Sequence, residues 1–114
     1  MTAGERDLPY MPHRVLMKED GVMVLAIVDA IRDRRRLRFR YHDRERLVEP
    51  QCYGVGAKGT ELLRGYQLQG GLQQEPLFDV SKLSELVVLD ETFDKPGPHY
   101  RRDDSAMVRI FRQL

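Results

Sequence analysis

The sequence predicts a small, mainly β domain flanked by helices: an N-terminal helix, five short antiparallel strands and a C-terminal helix. Three observations predict it. Apolar residues recur at helical spacing before residue 36 and again after residue 103; from Leu37 the period drops to two; and turns rich in Gly, Pro or Asp separate the runs that follow. A chain of 114 residues holds one ordinary domain. Its composition, 41% apolar and 32% charged, is that of a globular protein rather than a disordered one. Closing the strands into a small barrel is the economical arrangement, because closure hides sheet edges in so short a chain.

The elements follow in order. Residues 1–19 hold Pro9 and Pro12 and no sustained period, which predicts an arm lying along the domain. Val24, Ile27, Val28 and Ile31 then fall on one helical stripe. Asp20 is its expected N-cap, and Arg32, Arg34, Arg35 and Arg36 crowd the other end, so the helix is expected from about Gly21 to Arg35. In Leu37-Arg38-Phe39-Arg40-Tyr41-His42 the apolar side chains point one way and Arg38, Arg40 and His42 the other, a half-buried strand with a basic outer face. Asp43-Arg44-Glu45 is the expected turn into a second strand, Arg46 to Cys52, where Pro50 marks an edge or a bulge.

Gly54, Gly56 and Gly59 form the next loop. A third strand runs from Glu61 to Leu68 and stops at Gly70-Gly71; a fourth covers Pro76 to Val80. Leu86-Val87-Val88-Leu89, apolar on both faces, is a buried fifth. Pro96-Gly97-Pro98 breaks the chain. Asp103 or Asp104 then caps a terminal helix with Met107, Ile110, Phe111 and Leu114 at i, i+3, i+4 and i+7. The expected organisation is an arm over 1–19, a helix plus β-barrel over 20–93, and a Pro-containing tail with an amphipathic helix over 94–114.

Composition excludes several classes of function. Nineteen basic residues face eighteen acidic ones, which argues against a generally basic nucleic-acid binder while leaving local patches open. The single cysteine, Cys52, can form neither an internal disulfide nor a cysteine-based zinc site, and points to a reducing, cytoplasmic compartment. No apolar run approaches the roughly 20 residues of a membrane span, and the N-terminus does not read as a signal peptide.

The initial helix followed by Leu37-Arg38-Phe39-Arg40-Tyr41, then Arg46-Leu47-Val48-Glu49-Pro50, Leu62-Leu63-Arg64-Gly65-Tyr66 and Phe78-Asp79-Val80-Ser81-Lys82-Leu83 resembles the WYL domain over roughly residues 24 to 93. The name-giving Trp-Tyr-Leu corresponds to Glu61-Leu62-Leu63, so Leu63 alone is retained, and Asp79 and Lys82 stand where the family has arginines. The resemblance implies an Sm-like, SH3-like β-barrel of the kind found in bacterial transcription regulators. It also implies a groove for a negatively charged ligand, single-stranded nucleic acid or a nucleotide being favoured. The winged helix that usually accompanies the family has no room in residues 1–19.

The residues themselves offer one strong feature. Between Arg32 and Arg46 stand eight arginines against Asp33, Asp43 and Glu45. Guanidinium groups bind phosphate bidentately and stack on bases. Arg38 and Arg40 share a strand face at a separation of roughly 6 to 7 Å, close to adjacent phosphates of a single strand. Tyr41, Tyr53 and Tyr66 are aromatic neighbours. Arg34 to Arg36 read more readily as a solvated helix end, while Arg38 and Arg40 fit either reading. Arg46 is either an anion ligand at the barrel rim or the ion-pair partner of Glu49 or Glu61. Arg64, on a face with Leu62 and Tyr66, marks a groove floor if that face is open, and Lys82 follows the same logic.

Catalytic readings find no pairing. His13, His42 and His99 lack metal-ligand spacing, Cys52 reads as a buried structural thiol, and Ser81 and Ser105 sit in no nucleophile elbow. Gly54-Val55-Gly56-Ala57-Lys58-Gly59 does not match a phosphate-binding loop. The expectation is therefore a non-enzymatic regulatory module with no cofactor and no metal. Arg38, Arg40, Tyr41, Arg46, Arg64, Tyr66 and Lys82 would hold single-stranded nucleic acid or a nucleotide, and the output would pass to a partner regulatory protein. The alternative is an interaction or oligomerisation unit, such as a homodimer docked through the terminal helix, with no small ligand.

Overall fold

Val22–Asp33 forms the helix α1, and its buried side chains, Ile27, Ala30 and Ile31, recur at the spacing that turns one stripe toward a sheet. A computed structural model describes residues 15–16 and 22–114 of the chain. Apart from Val15–Leu16, the expected arm over 1–19, with His13, lies outside the described residues, as do the Asp20 cap and Gly21. Around α1 run β1 (Val15–Leu16), β2 (Arg35–Tyr41), β3 (Arg44–Val55), β4 (Glu61–Gln69), β5 (Leu77–Asp79), β6 (Ser84–Thr92) and β7 (Arg109–Gln113), with a 3-10 turn at Val80–Lys82. The protein is mainly β, as the periodicity predicts.

All strand pairs are antiparallel, in the order β1-β6-β2-β3-β4-β5, with β7 pairing β3. The sheet is open: among the described residues no pairing joins β5 back to β6 or β1. The five expected strands are β2 to β6, to within a few residues. Leu86–Leu89 is buried at every position. One face carries the core, in which Leu37, Phe39, Val48, Tyr53, Leu63, Phe78, Leu83, Leu86 and Val88 pack with α1. The opposite face carries the alternate residues of β2, β3 and β4.

Three expectations are not met. The sheet does not close into the expected five-stranded barrel among the described residues, because β5 and β6 are joined through the 3-10 turn at Val80–Lys82 and do not pair. The turn after β2 is His42-Asp43, because Tyr41 pairs with Arg44 and both intervening residues take left-handed backbone (φ 51° and 61°), the geometry a two-residue hairpin needs. The C-terminal helix does not form: α1 is the only α-helix among the described residues, and Arg109–Gln113 is a strand. The reason lies in β3. It is 12 residues long, and β2 pairs with Arg44–Val48 alone, leaving the N–H and C=O groups of Cys52–Val55 open on that side. β7 pairs with those residues, which satisfies them.

Pro50 sits at a β-bulge, one of its two expected settings, with Gln51 as the extra residue between the Pro50–Gly65 and Cys52–Arg64 pairs. Freed from the ladder, the fully buried Gln51 ties the β4–β5 connection to the chain after β6. Its Nε2 donates to Glu75 Oε1 (3.0 Å), its Oε1 accepts from the Gly97 N–H (2.6 Å), and its carbonyl accepts from the Leu114 N–H (3.0 Å). Glu75 Oε2 accepts from the His99 N–H (2.6 Å). The segment between β6 and β7 is therefore held against the sheet face opposite the core.

Candidate nucleic-acid interface

The His42-Asp43 turn, the end of β2 and the 3-10 turn enclose a cleft of about 300 Å³ lined by Arg40, Tyr41, His42, Asp43, Lys82 and Ser84. Arg40 stands opposite Ser84 in the β2–β6 ladder. Its Nη2 donates to the Asp43 carbonyl (3.0 Å), which holds the guanidinium over the turn. Lys82 closes the 3-10 turn, and Asp79 caps that turn: Oδ1 accepts from the Ser81 N–H (3.0 Å) and Oγ (2.6 Å). The Asp79 N–H donates to the Tyr41 hydroxyl (3.1 Å). An aspartate at this position thus builds the turn that carries Lys82. Among the described residues neither Arg40 nor Lys82 forms an ion pair with a carboxylate, so two cations line this cleft against Asp43 alone.

Arg46 is placed differently from either sequence reading. It pairs with Phe39 in the ladder, which turns it toward the core face. Its guanidinium lies over the rings of Tyr41 (5.5 Å) and Phe78 (5.9 Å) and donates to Gln67 Oε1 and the Tyr41 carbonyl, both at 3.0 Å. Its Nε is buried without an acceptor. Burial, then the neighbouring Arg44 charge, lowers its pKa. The expected carboxylates are engaged elsewhere: Glu49 meets Arg36, and Glu61 accepts from the Tyr53 hydroxyl (2.6 Å). Arg46 is a pin behind Tyr41 and outside the cleft wall.

The remaining site residues divide. Arg38 lies on the same face as Arg40, in a largely exposed pair with Glu45 (3.1 Å). Arg64 shares its face with Leu62 and Tyr66, as expected, but around Arg64 that face is covered rather than open. Arg64 Nε donates to Asp104 Oδ2 (2.8 Å) and Nη1 to the Glu75 carbonyl (3.1 Å). Tyr66 lies so close to Gly97 that a Cβ there would crowd the ring (2.7 Å). Tyr53 is fully buried and offers no stacking surface; burial, with Glu61 beside it, pushes its hydroxyl pKa up. The structure thus brings together Arg40, Tyr41 and Lys82, places Arg38 and Arg46 beside them, and sets Arg64 and Tyr66 apart.

A second cleft, of about 350 Å³, opens near Tyr66 between Arg36, Glu49, Phe93, Pro96 and Pro98. Arg36 bridges two acids, Glu49 (2.9 Å) and Glu91 (3.4 Å). The sequence offered Glu49 only as a partner for Arg46 and singled out none of Gln51, Glu75 and Ser84; the bulge at Pro50 was the available signal for Gln51, and nothing local pointed to Glu75 or Ser84. Cys52 is buried, as expected, with Sγ 3.5 Å from Met107 Sδ. The described residues contain no group of His, Cys, Asp or Glu that would hold a metal ion, and no helix among them is long and apolar enough to cross a membrane. Comparisons of the chain with protein-family models, with curated proteins and with solved structures give no match.

Proposed function

We propose that this protein is a non-enzymatic module that binds single-stranded nucleic acid or a nucleotide through its phosphates, as a cytoplasmic regulator whose output passes to a partner protein. One observation carries the reading: Arg40 and Lys82 line a single cleft without a carboxylate partner among the described residues, and His42 and Ser84 add further hydrogen-bonding groups. A cleft of this size is at the small end of the range for ligand sites, and charge-assisted hydrogen bonds from Arg and Lys are the usual means of holding phosphate. The β6-β2-β3-β4-β5 order, with a 3-10 turn before β6, supports an Sm-like arrangement of the WYL type.

Fluorescence anisotropy with a labelled single-stranded oligonucleotide tests this. Affinity is expected to fall linearly on a log–log plot against salt, with the slope reduced by roughly 0.7 for each phosphate contact removed in Arg40→Ala and Lys82→Ala. A second reading has its own support. β7 pairs with β3 alone among the described residues, so its other edge is open, and nearby Val108 and Phe111 are 71% and 39% exposed. No binding at low salt, together with a concentration-dependent dimer that Val108→Asp dissociates, would establish the interaction module instead.

A further inference from the structure

The sheet face that carries Arg40 carries the second cleft as well, at the other end of β2. Alternation along β2 puts Arg36, Arg38 and Arg40 on that face, and the Glu49–Tyr66 pair of β3 and β4 joins them. Arg36 lines one cleft and Arg40 the other, with Arg38 between. At the strand rise, Arg36 and Arg40 are roughly 13 Å apart, two steps of the size that separates successive phosphates in an extended single strand. The Arg38–Glu45 pair is exposed, and such pairs contribute little, so Arg38 can exchange its carboxylate for a phosphate.

The Tyr66 cleft has a different character from the cationic one. Tyr66, Phe93, Pro96 and Pro98 give it apolar walls suited to a planar ring. The Glu49 side chain is only 10% exposed, and both Arg36 contacts fall on Oε2. Among the described residues Oε1 has no hydrogen-bond partner. Oε1 is not itself shut off from solvent, so an N–H donor in the cleft that Glu49 lines can reach it. Resting on the reading of the cationic cleft given above, we infer that the two clefts form one track for single-stranded nucleic acid. Phosphates lie at Arg40 and Arg38, and a base enters the Tyr66 cleft with its exocyclic amine donating to Glu49 Oε1. Cytosine, which presents an amine at C4, fits; thymine, which presents a carbonyl oxygen there, sets acceptor against acceptor.

Binding of labelled oligo-dC and oligo-dT of equal length, measured by anisotropy at low salt, decides the matter. The unmodified protein is expected to bind oligo-dC at least about fivefold more tightly. In Glu49→Gln, whose amide offers a donor where Oε1 accepted, the preference is expected to vanish or reverse; Tyr66→Leu is expected to weaken both oligomers. Thermal melts establish that each variant is folded, and the comparison of the two oligomers on the unmodified protein needs no variant. Equal affinity for the two, with the salt slope intact, would overturn the base cleft and leave the cationic cleft standing. Absence of salt-dependent binding to either would overturn both.

Discussion

Arg64 Nε donates to Asp104 Oδ2 at 2.8 Å, joining β4 to the segment that leads into β7. Asp104 is nearly buried, and its Oδ1 also accepts from the Ala106 N–H (3.0 Å). The chain after Phe93 thus packs on the sheet through a charged contact as well as through the Gln51 and Glu75 hydrogen bonds.

Removing that contact should be costly. Asp104→Ala strands a half-buried guanidinium, and the expected loss is about 2–3 kcal/mol in urea unfolding at neutral pH. Burial alone would raise the Asp104 pKa, but hydrogen bonds from Arg64 and the Ala106 N–H, with the Arg64 charge, outweigh it and hold the carboxyl below its ordinary value. A depressed native pKa means that the stabilisation is fully present above the unfolded value, about 3.9, and is lost as pH falls through the lower native one. Thermal melts between pH 6 and pH 2 should therefore fall less steeply in Asp104→Asn than in the unmodified protein.

The His42-Asp43 hairpin places two residues with side chains where Asn-Gly is preferred. His42→Asn with Asp43→Gly is expected to raise stability by up to about 1 kcal/mol, read from the urea midpoint. Asp43 is also the one acid lining the cationic cleft. Asp43→Gly alone should tighten binding of a single-stranded oligonucleotide and steepen its salt dependence.

Gly54 faces β7 at close range. A Cβ there would overlap the Arg109 carbonyl oxygen and crowd Met107 Sδ (2.9 Å) and Ile110 Cα (3.0 Å). Gly54→Ala is expected to push β7 off β3 and destabilise the fold by about 2–4 kcal/mol, with faster amide exchange in residues 109–113. Unchanged exchange there would contradict the β3–β7 pairing.

Burial pushes the Cys52 thiol up to about 11. At pH 8 its thiolate fraction is then about a hundredth of that of an open cysteine, before access is considered. Alkylation by iodoacetamide is expected to be slower by at least about two orders of magnitude in the native protein than in urea.

Much of the fold was legible locally. The Leu37, Phe39, Tyr41 alternation gave β2 and both of its faces, because a strand's period of two is written in adjacent residues. Pro50 announced an edge or a bulge, of which the structure has the bulge, and the doubly apolar Leu86–Leu89 announced its burial. The site was less legible. The arginine run identified Arg38 and Arg40, but whether Arg64 was open or paired depended on Asp104, 40 residues away.

The chain itself determined the mainly β class, the helix before it and the basic face of β2, since each follows from the period and chemistry of neighbouring side chains. Tertiary structure alone decided the rest. Met107, Ile110, Phe111 and Leu114 carry helical spacing, yet this segment is a strand. The unpaired backbone of Cys52–Val55 needed partners, and no local pattern reports an edge left open by a strand 12 residues long. The same packing sorted the arginines, giving carboxylates to Arg36, Arg38 and Arg64, aromatic rings to Arg46, and to Arg40 a cleft shared with Lys82.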